Sequence, residues 1–405
     1  MVNLKALTGN AAAAYAAMLA QVGAGVFFPI GPSDEVMEVL RELIDSGEAK
    51  NCEILQMENE KAVLSAKIGL SRLGVRTIFA TCGEGLTWPA SEMKYASGSR
   101  LPLLIVSPSR ALGPPTTVRC DHGDFIMQRD MGWLQFYCED AQDILDTVIQ
   151  TYRVAEDEKV MLPALIGYDG WEVSHSTYRV NLPLIEEVDS FLPGPRLWHE
   201  DYFGTDWFKV FQKRRMHKNP RLLYMEKKFE LSLAMENAKN IIEEVGKSYN
   251  NKFGRNNHGL IETLYCQDAD VIIITMGGMT STARFVVEAL RKDGYKVGLV
   301  KLRTFRPFPK EKLIEALSGA KVVVSVERNS YAAVYSELRS AFYDRENRPV
   351  ILGRILGIGG REISYYDFLD MLEEALEVQK HGFKYSLSWK GVREGAERFA
   401  SIMGE

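Results

Sequence analysis

The sequence predicts a two-domain α/β protein, and three observations carry that prediction. Short apolar runs alternate with helical periodicity from Asn10 to about Asn181, the rhythm of a mainly parallel sheet covered by helices. The rhythm then breaks at Leu192-Pro193-Gly194-Pro195 and restarts at Val271 as a second, shorter βαβ series. The chain also has 405 residues, more than one hydrophobic core usually organises. Together these give a doubly wound domain over 1–185, a linker and helix over 186–265, and a smaller α/β domain over 266–405.

In order, an Ala-rich helix is expected from Asn10 to Gln21 and a strand from Gly25 to Phe28, ending in Pro29-Ile30-Gly31-Pro32. Ser33 stands where a helix N-cap belongs, with Asp34 and Glu35 in the first turn, where the helix dipole favours negative charge. Val36, Val39, Leu40, Leu43 and Ile44 then repeat at the spacing of one buried helix face. Further strands are expected at Glu53–Met57, Val75–Thr81, Leu101–Ser107, Leu134–Tyr137 and Val160–Tyr168. After the break come aromatic and basic residues (Trp198, Tyr202, Trp207, Phe208, Lys213-Arg214-Arg215), read as a surface-wrapping linker, and a helix over Leu222–Tyr249. The second series places strands at Val271–Thr275, Val297–Leu302 and Val322–Val326, with helices at Ser281–Lys292 and Phe308–Leu317.

Composition narrows the function classes. A net charge of −5, spread along the chain, offers no basic face for nucleic acid and no polybasic membrane anchor. No run approaches the roughly 20 apolar residues that span a bilayer, and Met1–Asn10 lacks the pattern of a leader, so a cytoplasmic protein is expected. Cys52, Cys82, Cys120, Cys138 and Cys266 are scattered with no C-x-x-C pair, and the six histidines are equally dispersed. Iron–sulfur and structural zinc sites usually announce themselves by close thiolate spacing, so any redox metal is expected on another chain.

In open α/β sheets, ligands bind beyond the carboxyl ends of the strands. That directs attention to the turns Pro29–Ser33, Thr81–Gly85 and Ser107–Leu112. Glu60 follows a strand and opens a small, apolar helix. As a bare pattern this is foremost an acid favoured in a first helical turn, worth about 0.3–1 kcal/mol; the functional reading is a carboxylate kept at a sheet edge to hydrogen-bond a cofactor nitrogen. Arg110 follows another strand and could clamp a substrate carboxylate in two places, or serve as a surface ion pair. Thr81-Cys82-Gly83-Glu84-Gly85 is glycine-rich but matches neither the dinucleotide fingerprint nor the P-loop. Gly277-Gly278 and Gly357-Ile358-Gly359-Gly360 are likewise incomplete, and Gly31 between two prolines reads first as turn chemistry.

Taken in register, these segments resemble the α subunit of the 2-oxoacid:ferredoxin oxidoreductases. Thr8-Gly9-Asn10-Ala11-Ala12-Ala13 is similar to the family's amino-terminal opening, Phe28-Pro29-Ile30-Gly31-Pro32-Ser33 to its YPITP signature, and Asn59-Glu60-Lys61-Ala62 to its SEH or SEA. Arg110–Pro115, Gln128–Tyr137, Arg306-Pro307-Phe308-Pro309 and Gly357–Arg361 resemble the four-subunit branch. The resemblance covers nearly the whole chain. It implies a thiamine-diphosphate pyrimidine-type doubly wound domain followed by a smaller transketolase C-terminal-like domain. The family's diphosphate half carries a G-D-G and a downstream asparagine for Mg²⁺; neither is found here, and Tyr168-Asp169-Gly170-Trp171 falls where the family has a plain structural Asp-Gly.

The resemblance therefore implies that thiamine diphosphate is shared with a β subunit that holds Mg²⁺. It further implies [4Fe-4S] clusters in partner subunits, γ and ferredoxin-like δ chains, ferredoxin or another electron acceptor, and CoA as co-substrate. By that resemblance Glu60 would take the role of hydrogen-bonding N1′ of the aminopyrimidine, Arg110 is expected as the second catalytic residue, and Pro29, Ile30, Gly31 and Gly85 are expected to line the cofactor side. No metal ligand is assigned to this chain. Three residues depart from the family pattern: Gly31 for threonine, Phe28 for tyrosine and Glu84 for glutamine. Loss of a hydroxyl and gain of volume at Gly31 lead to the expectation of a bulky or aromatic 2-oxoacid such as phenylglyoxylate. Pyruvate, a branched-chain 2-oxoacid, or a non-catalytic scaffold with the same fold are the alternatives.

Overall fold

A computed structural model describes residues 3–194, 220–256, 259–381 and 386–393. The expected linker residues Trp198 to Arg215 lie outside the described residues. Strands are numbered in chain order: β1 Asn3–Thr8, β2 Ala24–Phe27, β3 Glu53–Gln56, β4 Thr77–Ala80, β5 Leu104–Ser109, β6 Leu134–Tyr137, β7 Ala164–Asp169 and β8 Thr177–Leu182. The second series has β9 Ile261–Leu264, β10 Val271–Thr275, β11 Val297–Leu302, β12 Thr304–Arg306, β13 Val322–Glu327, β14 Val350–Ile355 and β15 Leu387–Trp389.

The first sheet runs β12-β6-β7-β5-β4-β2-β3 and is parallel except for β12, which pairs antiparallel with β6. The second runs β15-β14-β13-β10-β11-β9, parallel except for β9. β1 and β8 form a separate antiparallel pair. Strands β4, β5, β6, β7, β10, β11 and β13 are buried along their whole length, as parallel strands covered on both faces must be. In the first sheet the chain steps from β2 out to β3 and then returns to β4 on the other side of β2. That reversal is a topological switch point, and doubly wound sheets bind ligands beyond the carboxyl ends of the strands on either side of it, here β2 and β4.

Several sequence expectations need correction. Ser33 occupies the N-cap position of the helix Asp34–Asp45 but does not cap it; its hydroxyl donates 2.7 Å to the Ile30 carbonyl and tightens the preceding turn instead. The strand expected at Leu101–Ser107 is shifted to Leu104–Ser109 and contains Pro108. Proline has no N–H to donate to a neighbouring strand and is therefore disfavoured inside a sheet. It is accommodated because β4 pairs with β5 only as far as Val106, so Pro108 has β7 alone as neighbour. β1, β8, β9, β12, β14 and β15 were not anticipated from the sequence; β12, with three residues, is too short for a period to show. The long helix extends over Pro220–Phe253 and packs through Ala234, Ala238, Ile241, Ile242, Val245 and Tyr249.

The two sheets meet through buried charge. Asp169 at the end of β7 lies 3.0 Å from Nε2 of His122 and 2.9 Å from Nη1 of Arg328, which follows β13. Nearby, Nζ of Lys301 on β11 lies 2.9 Å from both Glu139 and Asp143. The Gly357–Gly360 segment docks here as well: the N–H groups of Gly359 and Gly360 donate to the Cys120 carbonyl at 2.9 and 3.2 Å. It is a packing joint rather than a phosphate loop.

Candidate active site

Four adjacent strands deliver the site. The turn after β2 carries Pro29, Ile30 and Gly31; the chain after β3 carries Glu60; the turn after β4 carries Thr81 to Gly85; and Arg110 follows β5 directly. The first turn is held by the opening segment. Asn10 is fully buried, and its Nδ2 donates 2.8 Å to the Pro32 carbonyl and 3.0 Å to Glu35, while Tyr168 donates 2.8 Å to its Oδ1. Thr8 completes the brace by donating 2.9 Å to Glu35 and accepting the Ala11 N–H at 3.0 Å as the helix N-cap. Pro29 is exposed and Ile30 half-buried, with the Ile30 carbonyl accepting from Ser33.

Glu60 begins the helix Glu60–Arg72, capped by Asn59, whose side chain accepts the Ala62 N–H at 3.0 Å. The cap fixes the first turn, and the turn directs the Glu60 carboxylate inward, where only 3% of the residue is exposed. Its Oε2 has no hydrogen-bond partner among the described residues, and neither does Oγ1 of Thr81, also buried. Buried polar groups in folded proteins are nearly always paired, so two orphans in one place mark a site completed by something else. The neighbouring Gly85 is tightly placed: a Cβ there would lie 2.4 Å from Oε1 of Glu60 and 2.5 Å from Oγ1 of Thr81. Only glycine leaves the carboxylate where it is.

Arg110 lies across the turn after β4. Its Nη1 donates 2.9 Å to the Gly31 carbonyl and its Nη2 donates 2.9 Å to Glu84. Glu84 also accepts the Gly113 N–H at 3.1 Å. Partial burial works against the Glu84 charge, but its own N–H, that of Gly113 and the Arg110 guanidinium hold its carboxyl below the ordinary glutamate range. The guanidinium retains N–H groups beyond these two bonds, including a buried Nε–H without a partner among the described residues. Gly83 makes this placement possible, with φ +57° and a Cβ position only 2.4 Å from Nε of Arg110. Gly31 is the opposite case: a Cβ there would meet nothing within 4 Å, so the space expected from the sequence is open on the protein side.

Sequence reasoning missed Thr81 as a site hydroxyl and missed Asp124 altogether. Asp124 is fully buried on the short helix Gly123–Ile126, between the turns that bear Gly83 and Arg110. Nothing periodic marks a four-residue helix, so no pattern could have exposed it. Cys120, His122 and Asp169 bring ligand-type atoms within 4.8 Å of one another, all buried. Arg328 is already paired with that Asp169 carboxylate at 2.9 Å, which gives the cluster an internal cation and the character of an ion-pair joint. Burial works against the Asp169 charge, yet His122 and Arg328 hold its carboxyl below the usual range.

Could these residues hold thiamine diphosphate? The buried, orphaned Glu60 oxygen, and the glycine packed against that carboxylate, fit a ring nitrogen hydrogen-bonded by a buried carboxyl. Fold and site together define the class: a doubly wound domain of the thiamine-diphosphate type joined to a smaller, transketolase C-terminal-like α/β domain. Residues 15–247 match the family described as pyruvate flavodoxin/ferredoxin oxidoreductase, thiamine diP-bdg, and residues 269–368 match pyruvate:ferredoxin oxidoreductase core domain II. The chain belongs to the 2-oxoacid:ferredoxin oxidoreductase family, as one of its α subunits, and so to the oxidoreductases that act as part of a complex.

It is 35% identical over 398 residues to the pyruvate synthase subunit PorA of Pyrococcus furiosus, covering 96% of this chain and 98% of that one. To the ketoisovalerate oxidoreductase subunit VorA of Pyrococcus horikoshii it is 37% identical over 382 residues, 93% of this chain and 95% of the other. Among solved structures, the 2-oxoglutarate:ferredoxin oxidoreductase of Magnetococcus marinus superposes with a TM-score of 0.69 at 17% identity. That alignment covers 93% of this chain and 65% of the other chain. A split-gene transketolase gives a TM-score of 0.51 at 14% identity over 91% of this chain and 98% of its own. These two likenesses speak for the fold. No helix among the described residues is long and apolar enough to cross a membrane.

Proposed function

We propose that this chain is the pyrimidine-side half of a cytoplasmic, CoA-dependent 2-oxoacid oxidoreductase, with Glu60 and Arg110 as its catalytic residues. The observation that carries the reading is the buried, unpaired Oε2 of Glu60, set against Gly85 and Thr81. When bound, thiamine diphosphate supplies the electron sink that lets a 2-oxoacid lose CO₂. Glu60 would hold the aminopyrimidine N1′ and the proton shared with it. Arg110 would bind the substrate carboxylate through the guanidinium N–H groups not engaged by Gly31 and Glu84. Gly85 and the turn after β2, Pro29 to Gly31, would line the cofactor side. The cofactor's diphosphate and Mg²⁺ would rest on a β subunit, and γ and δ subunits bearing [4Fe-4S] clusters would pass electrons to ferredoxin or another acceptor while CoA takes the acyl group.

For the substrate, the open space at Gly31 supports a 2-oxoacid bulkier than pyruvate. A branched aliphatic side chain has the support of the relative named as a ketoisovalerate oxidoreductase subunit. An aryl substrate such as phenylglyoxylate rests on Gly31 alone, since neither curated relative described above is named for one. Glu60→Gln in the assembled complex tests the reading. Turnover should fall about 100-fold or more while the unfolding temperature and assembly stay unchanged, because the carboxyl serves the reacting cofactor rather than the core. Near-normal turnover with thiamine diphosphate bound would return Glu60 to a helix-start acid.

A further inference from the structure

Two turns must keep their relative position for the site to work: Cys82–Gly85, which places glycine against Glu60, and Ser109–Gly113, which carries Arg110. One buried carboxylate ties them together. Oδ2 of Asp124 accepts the Gly83 N–H at 2.8 Å and the Arg110 N–H at 3.1 Å, and Oδ1 accepts the Phe125 N–H at 2.7 Å. We propose that Asp124 is a positioning residue that acts through Arg110, clasping its backbone to the turn after β4 so that the guanidinium lies across Gly83 and faces the substrate carboxylate. This rests on the reading of Arg110 as the carboxylate-binding residue.

The geometry explains why an acid is needed. Three N–H donors converge on one carboxyl, and an ionised carboxylate accepts all of them where a neutral side chain cannot. Burial pushes the Asp124 carboxyl up to about 6 against the pull of those N–H groups, with Asp121, just before the same helix, raising it further. Among the described residues, Cys82 and Arg110 from the two turns and Tyr137 from β6 also interact with it. Protonation below that value places a hydrogen on an oxygen that is accepting one, so the clasp loosens as the medium becomes acidic.

The test compares wild type, Asp124→Asn and Arg110→Lys in the complex assembled with its partner subunits. In Asp124→Asn the KM for the 2-oxoacid should rise about tenfold, roughly the loss of one hydrogen bond to a charged acceptor, with the KM for CoA unchanged. The acid limb of kcat/KM near pH 6 should disappear, since asparagine does not titrate there. Amide hydrogen exchange should accelerate in peptides covering 82–85 and 109–113, and at Phe125, whose N–H the same carboxylate accepts, with the rest of the chain unchanged. An unchanged 2-oxoacid KM in a complex where Arg110→Lys raises it would overturn the inference, as would exchange rates unaltered in both turns. A uniform fall in kcat with exchange faster throughout the chain would also overturn it, since that is the mark of a merely structural residue. If Arg110→Lys itself leaves KM unchanged, the reading of Arg110 fails; local exchange in the two turns then still reports whether Asp124 holds them.

Discussion

Gly85→Ala is the sharpest perturbation the structure offers, because it adds one methyl group directly against the Glu60 carboxylate. The new Cβ would stand 2.4 Å from Oε1 of Glu60 and 2.5 Å from Oγ1 of Thr81. Ordinary van der Waals contact begins near 3.4 Å, so the carboxylate must move by about 1 Å. The backbone raises no objection, since Gly85 lies in the helical turn Glu84–Thr87, where alanine is favoured over glycine by about 1 kcal/mol. Stability should therefore hold, with the unfolding temperature within about 4 °C of wild type. A misplacement of about 1 Å in a catalytic constellation costs on the order of 100-fold in rate, equivalent to about 2.7 kcal/mol. The assay is 2-oxoacid- and CoA-dependent reduction of a viologen dye by the assembled complex, with thermal unfolding measured alongside. A Gly85→Ala complex that retains activity within about threefold would refute the reasoning, because a freely displaceable Glu60 cannot be the group that holds the cofactor ring.

Two further substitutions probe the other side of the crevice. Arg110→Lys keeps the charge but cannot reach the Gly31 carbonyl and Glu84 at once as the planar fork does; the KM for the 2-oxoacid should rise at least tenfold, and wild-type behaviour alongside a failing Arg110→Ala would mean general electrostatics instead. Gly31→Thr adds atoms to space that is open on the protein side. If a large substrate fills that space, crowding costs about 1–3 kcal/mol, so the ratio of kcat/KM for large over small 2-oxoacids should fall roughly 5- to 200-fold. An unchanged ratio would make Gly31 turn chemistry only.

What the sequence determined by itself is whatever short-range pattern encodes. Strand–helix alternation, the buried helix face at Val36, Leu40 and Leu43, and the placement of Glu60 at a helix start and Arg110 just past a strand were legible because each depends on neighbours a few residues away. So was family resemblance, since the motifs sit in register along the chain. The tertiary structure alone decided which turns meet. Strand order puts β2 beside β4 and so brings Gly31, Thr81, Gly85 and Glu60 to one crevice, although β3 intervenes in the chain. It alone revealed that β12 leaves the second series to pair with β6, that Pro108 fits because β4 stops at Val106, and that Ser33 turns its hydroxyl to Ile30. Asp124 is the clearest case. Its three donors include Gly83 and Arg110, distant in sequence and close only once the sheet has formed, and no local period can record a contact of that kind.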